Sequence, residues 1–267
     1  MMAPENPVPQ PVLAVRDLSR HYGGVRAVDG VGFEVTAGHI RALIGPNGAG
    51  KSTTVNLLSG AARPTTGSIR LDGREIAGQS AARVARAGMV RTFQNGRLFA
   101  RLTALENVLV GADARFRTSL LGAVLRSPRF RAEEAAMRDH ARSLLRQLDM
   151  EGDADRPISA LPYGRQRKLE IARALIHRPK MLLLDEPAAG LNSGEVEALL
   201  TFVSNLRAQG MAILLIEHNM GLVMRLADSI TVLNFGRKIA EGLPDDVRTD
   251  PVVVEAYLGR RREYARV

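Results

Sequence analysis

The 267-residue sequence contains no cysteine. Disulfides, thiolate metal sites and cysteine nucleophiles are thereby excluded together, in keeping with a reducing compartment, and any metal chemistry has to use oxygen or imidazole ligands. A secretory signal is missing as well: residues 1–11, MMAPENPVPQP, have neither a basic start nor an apolar core, and read as a flexible tail. Long hydrophobic runs are absent. The longest, MLLL at 181–184 and MAILLI at 211–216, fall far short of the ~20 residues a membrane helix needs, so association with a membrane is expected through a partner or the surface. No repeat recurs at solenoid spacing. Acidic residues are the minority, 28 Asp and Glu against 37 Lys and Arg, giving a net charge of +9 and a pI near 10.7. That balance favours anionic partners such as nucleotides, nucleic acid or acidic head groups without choosing among them.

What is present is enough apolar sequence, 45% of residues, for a sizeable core. β-Branched and apolar runs at 12–15, 31–35, 40–44 and 68–71 predict a strand-rich front. From 103 to 174 the pattern turns helical, with Met137, Ala141, Leu144, Leu145 and Leu148 spaced three and four apart on one face. Buried-strand runs at 181–184, 211–216 and 230–233 then alternate with helices starting at Ser193 and Met220. Apolar strands flanked by helices predict a parallel sheet covered on both faces.

The strongest chemical feature is GPNGAGKST at 45–53, directly after the strand at 40–44 and opening a helix. This is the P-loop pattern in its strand, loop, helix context. Its glycines let consecutive backbone N–H groups turn toward phosphate oxygens, and the helix presents its positive dipole end to the same anion. Lys51 is expected to reach the β- and γ-phosphates and Ser52 to ligate Mg²⁺. The second feature is the apolar run at 181–184 ending in Asp185 and Glu186, two carboxylates at the carboxyl end of a buried strand, where α/β sheets carry out ligand chemistry. Asp185 can hold Mg²⁺ and Glu186 can accept a proton from an attacking water.

With these motifs in this order, residues 13–242 resemble an ABC-transporter nucleotide-binding domain. The resemblance implies an α/β P-loop NTPase fold with a RecA-like core, an antiparallel β subdomain and a helical subdomain at about 103–176, followed by a helical extension and basic tail at 243–267. It implies ATP and Mg²⁺ as cofactors. Gly45, Pro46, Asn47, Gly48, Ala49, Gly50, Lys51, Ser52 and Thr53 are then the phosphate cradle. Tyr22 resembles the aromatic that stacks on adenine. Gln94, in VRTFQ, resembles the glutamine between nucleotide and permease and is a third expected metal ligand, beside Ser52 and Asp185. His218 resembles the switch histidine at the γ-phosphate, so the expected catalytic set is Glu186, His218, Gln94 and Lys51.

LPYGRQRKLEIARAL at 161–175 resembles the ABC signature and its helix with departures from LSGGQ: Pro162 for the serine, Tyr163 for a glycine and Arg165 for the glutamine. Tyr163, Gly164 and Arg165 are the residues expected at the nucleotide from this segment. AAGLN at 188–192 takes the place of the D-loop, with Asn192 for aspartate. In this family each ATP lies between the P-loop of one subunit and the signature of another, so the resemblance implies a second ATPase subunit, identical or a sibling. It also implies transmembrane permease subunits and, indirectly, a periplasmic solute-binding protein, placing the chain at the cytoplasmic face of the inner membrane. VRTFQNGRLFARLTALENVLVGA, DEPAAGLN and the closing AYLG resemble the branched-chain amino acid importers. ATPases for urea, amides or lipopolysaccharide export, a nucleic-acid-associated cassette and a P-loop kinase are the alternatives; no nucleic-acid partner is expected. The insert at 115–131, with Arg at both ends of an apolar patch, is read equally as a lipid or permease contact or as a solvated helical excursion.

Overall fold

The computed structural model describes residues 10–92, 98–112 and 127–258. Its centre is a six-stranded sheet in the order β10-β9-β3-β8-β7-β6, made of β10 (Arg237–Gly242), β9 (Ser229–Asn234), β3 (Ile40–Ile44), β8 (Ala212–Ile216), β7 (Met181–Asp185) and β6 (Met89–Arg91). Neighbours run parallel except for the antiparallel β9/β10 hairpin. Four further strands, β1 (Leu13–Tyr22), β2 (Val25–Val35), β4 (Thr66–Leu71) and β5 (Arg74–Glu75), form a separate antiparallel sheet in the order β2-β1-β4-β5.

The continuous apolar runs of β7 and β8 follow from burial on both faces of the central sheet. Every residue of the two strands is buried, and alternate side chains divide between two cores. Leu182, Leu184, Ile213 and Leu215 enter a helical core. Met181, Leu183, Ala212, Leu214 and Ile216 enter a second one, where they meet Leu13, Val15, Ile69 and Leu71 of the antiparallel sheet and Val55, Leu57 and Leu58 of α1 (Lys51–Leu58). The central sheet is thus covered by helices on one side and by α1 with the antiparallel sheet on the other.

The helical core is built from α3 (Ala104–Val110), α4 (Pro128–Gln147), α5 (Tyr163–Leu175), α6 (Ser193–Ala208) and α7 (Met220–Leu226), while α2 (Ala81–Ala87) precedes β6. The stripe expected on α4 is the face it buries: Ala141, Leu144 and Leu145 are inside, Leu148 follows at the end, and Met137 packs at the margin. Caps fix where helices begin. Thr103 and Glu106 form a capping box on α3, Asn192 and Glu195 form one on α6, and Asn219 caps α7, each satisfying N–H groups that the first turn leaves open. α8 (Pro244–Thr249) and α9 (Pro251–Leu258) seat Val247 and Val253 against Ala42, Ile44, Ile230 and Val232.

Strands β5, β6 and β10 have no counterpart in the sequence pattern. β5 and β6 are two and three residues long, and β10 is a polar edge strand, RKIAEG, whose exposure removes the need for an apolar run. No helix among the described residues is long and apolar enough to cross a membrane.

Candidate functional site

Parallel register brings the chemical groups to one edge. β3 pairs Leu43 with Ile216 of β8, and β7 pairs Asp185 with the same Ile216. The residues just beyond the three strand ends, the loop from Gly45, then Glu186, and then Glu217 with His218, therefore meet at the carboxyl edge of the sheet, where the chain order also reverses.

In the loop, two glycines are required by the protein's own backbone. Gly45 has φ 149, and a Cβ there would lie 2.1 Å from the Leu233 carbonyl oxygen; Gly50 has φ 103, and its Cβ would lie 2.6 Å from the Ala27 carbonyl oxygen. Gly45→Ala is accordingly expected to destabilise the chain by ~3 kcal/mol or more, read as a lowered melting midpoint without nucleotide; an unchanged midpoint would contradict the packing described.

Asn47, Gly48, Ala49, Gly50, Lys51, Ser52 and Thr53 line a cleft of about 380 Å³ with Glu186, Val25, Arg26, Ala27, Phe235 and Gly236. Pro46, with Asn47, Gly48 and Ala49, borders the adjoining pocket toward α9. The Lys51 ammonium folds over its own loop, donating to the carbonyls of Gly45 at 2.6 Å and Pro46 at 3.0 Å. Burial holds its pKa below the usual lysine value, and the nearby Glu186 carboxylate opposes that shift. An anion in the cleft would satisfy this cation.

Glu186 sits in the left-handed region at φ 48. Its N–H donates to the Ile216 carbonyl at 2.9 Å, and its Oε1 lies 3.8 Å from His218 Nδ1. Asp185 is buried and its Oδ2 accepts from Arg91 Nη2 at 2.6 Å, while Arg91 Nη1 reaches Asn56 of α1 at 2.7 Å. The exposed Ser52 hydroxyl in the first turn of α1 and the Asp185 carboxylate are hard oxygen donors. They fit Mg²⁺, which takes one or two carboxylates together with substrate phosphates and water. Among the described residues no cluster of three or more His, Cys, Asp or Glu side chains forms a self-sufficient metal cage.

Residues 28–189 match the family model described as ABC transporter, more than half of the chain. The chain belongs to the ABC transporter family. Residues 237–263 match a second model, branched-chain amino acid ATP-binding cassette transporter. The chain is 45% identical over 251 residues to the high-affinity branched-chain amino acid transport ATP-binding protein BraF of Pseudomonas aeruginosa, covering 94% of this chain and 98% of that protein. It is 43% identical, with the same coverage, to the protein LivG of the same description from Escherichia coli. The fold superposes on the crystal structure of the ADP conformation of MJ1267, an ATP-binding cassette of an ABC transporter, with a TM-score of 0.82 and 32% identity, covering 94% of this chain and 99% of that one.

The remaining ABC elements fall into place unevenly. Tyr22 ends β1, half exposed, with the Arg20 guanidinium 4.4 Å over one ring face; the other face is the one a base would stack on. Gln94 lies outside the described residues, as do most of the insert at 115–131 and the basic tail beyond 258. Tyr163 and Gly164 open α5, whose N-cap Pro162 supplies no side-chain cap. Arg165 is occupied within its own subunit: its guanidinium pairs with Asp153 and reaches the Asp149 carbonyl at 3.4 Å. To meet a nucleotide it would have to leave Asp153.

Four residues to which the motifs assigned no role also belong to the site's support. Glu217, 1% exposed, accepts from the N–H groups of Ala188 at 3.0 Å and His218 at 3.2 Å, tying the segment after the base to the segment carrying the histidine. Arg91 holds Asp185, Arg167 reaches the Glu186 carbonyl, and Tyr257 of α9 approaches the Gly45 backbone, its hydroxyl pKa raised by burial. For Glu217 the available signal was a charge at the end of an apolar strand run, but its partner was not legible.

Proposed function

We propose that this chain is the ATP-binding and ATP-hydrolysing subunit of an importer for branched-chain or other hydrophobic amino acids, driving a separate permease. The observation that carries the ATPase reading is the meeting of Lys51, Glu186 and His218 at one cleft mouth built on a P-loop. The solute reading rests on the similarity to BraF and LivG over nearly the whole chain and on the match at 237–263.

In the proposed reaction the backbone of residues 45–53 cradles the phosphates and Lys51 offsets their charge. Glu186 takes the proton of a water aligned with the γ-phosphate, and His218, beside it, contacts the transferring group. Ser52, Asp185 and Gln94 would hold Mg²⁺, which supplies charge neutralisation on the phosphate oxygens. Tyr22 stacks on adenine. The cleft's lining includes no residue of the 161–165 segment, which supports a site completed by Tyr163, Gly164 and Arg165 of a second ATPase subunit, identical or a sibling. ATP closes the pair, hydrolysis releases it, and the difference in contact energy moves the permease. The chain would then sit at the cytoplasmic face of the membrane, held by permease subunits and served indirectly by a periplasmic binding protein.

A strain lacking the chain is expected to lose high-affinity uptake of labelled leucine, isoleucine or valine, and to regain it with the wild-type chain but not with Glu186→Gln. Intact uptake of all three together with lost uptake of urea or an amide would retain the motor and replace the solute.

A further inference from the structure

Arg167 lies four residues into the signature helix, yet it does not face solvent. Its side chain is 7% exposed and that of Glu170, its partner one turn on, is 11% exposed. Nη1 donates to Glu170 Oε2 at 2.6 Å, and Nη2 donates at 3.1 Å to the backbone carbonyl of Glu186. Burying a guanidinium is costly, and the bonds of its two terminal nitrogens offset that cost. Here one donor is spent on the main chain of the residue placed as the catalytic base, 19 positions away.

That main chain is under tension of its own. Glu186 holds a left-handed φ of 48, a conformation a non-glycine residue keeps only where surrounding contacts impose it. The contacts come from three directions. Its N–H is held by β8 through Ile216, its carbonyl accepts from Ala189 N–H at 3.2 Å as well as from Arg167, and two residues on, the Ala188 N–H is held by Glu217. Of these, only the Arg167 bond comes from α5.

The same helix touches the segment that follows Glu186 twice more. A Cβ on Gly190 would fall 2.8 Å from Tyr163 Cε1, and a Cβ on Gly164 would fall 1.9 Å from Glu195 Oε1, so the first turn of α5 packs directly on the segment from 186 to 195. Any shift of the α5 amino end is therefore felt along that segment, and Arg167 delivers it to the peptide that aims the Glu186 carboxylate.

We propose that Arg167 is a positioning residue for Glu186, and the link through which the signature helix, on engaging the nucleotide held by a second subunit, sets the base in its own subunit. The inference rests on the composite-site ATPase reading above. It makes the two ATP sites of a pair cooperative: nucleotide met by α5 of one subunit prepares the base of that same subunit for its own nucleotide.

The test uses the full chain with Arg167→Met, Arg167→Lys and Glu170→Gln, following affinity for a fluorescent ATP analogue, turnover against ATP concentration, and amide exchange of the peptide covering 186–191. Arg167→Met is expected to keep analogue affinity within about two-fold while turnover falls about 10–100-fold, the size of effect expected when a catalytic group is displaced by ~1 Å. The Hill coefficient should drop toward about 1 from a value approaching the two sites of the pair, and Ala188 and Ala189 should exchange faster. Arg167→Lys, keeping the charge but not the fork, should recover part of the turnover, and Glu170→Gln should give a milder form of the same pattern. Wild-type turnover and cooperativity in Arg167→Met would overturn the proposal, as would loss of analogue affinity in proportion to turnover, which marks a residue that merely holds the fold. Should Arg167→Met not fold, Arg167→Lys is judged on the same readings. Unchanged exchange at 186–191 overturns the proposal even where turnover is too slow to read, whereas a wild-type chain that binds no nucleotide overturns the ATPase reading instead.

Discussion

Glu186→Gln is expected to cut ATP turnover by ~10²–10⁴, the usual worth of a positioned general base, while ATP affinity stays near that of the wild type. The substitution keeps the shape of the side chain and every backbone bond that fixes its peptide: the N–H to Ile216, and the carbonyl to Ala189 and Arg167. It removes the negative charge that faces Lys51 and His218 and, with it, the capacity to take a proton. Binding persists because the groups proposed to grip the phosphates, the 45–53 backbone and Lys51, are untouched. Since hydrolysis is then the blocked step, the variant should collect as an ATP-bound pair of subunits, visible as a doubling of mass by light scattering at saturating Mg-ATP. Wild-type turnover in this variant would remove Glu186 from the role of base, and the register that sets it opposite the P-loop would need another purpose.

Lys51→Ala should weaken binding of a fluorescent ATP analogue by about 10²-fold, because hydrogen bonds to charged groups worth ~1.5–3 kcal/mol each are lost. Without nucleotide the expectation reverses. The ammonium is partly desolvated and, among the described residues, donates to the Gly45 and Pro46 carbonyls, and its pKa is lowered by that burial. A lysine whose folded pKa is depressed binds its proton less tightly in the folded chain than in the unfolded one, so its charged form works against folding. That penalty is relieved as pH rises through the lowered pKa toward the ordinary value of about 10.4. The empty Lys51→Ala chain should therefore melt no lower than the wild type near neutral pH, and the wild type should gain on it as the solution becomes alkaline. A variant that binds the analogue normally, or that unfolds without nucleotide, would show that Lys51 serves the fold and not the phosphate.

Sequence by itself determined the elements whose signal is local. The P-loop was legible because three glycines, a lysine and two hydroxyls must sit at fixed offsets between a strand and a helix, and Gly45, Gly50 and Lys51 adopt that conformation within nine residues of chain. Strands β7 and β8 were legible because burial on both faces leaves no polar positions, and the α4 stripe because a helix with one buried face repeats every three to four residues. Asp185 and Glu186 could be placed at a strand end for the same reason. Tertiary structure alone decided what surrounds them. Arg167 reads as one more cation on a basic helix until the fold sets it under Glu186, and Glu217 as a polar strand end until β8 lies beside β7. Arg91 finds Asp185 across 94 positions through the pairing of β6 with β7, and Arg165, expected at the nucleotide of a second subunit, pairs within its own chain with Asp153. Periodicity records whether a side chain is buried. It carries no record of which distant donor or acceptor the register will place against it, and in a buried site that partner decides what a charged group can do.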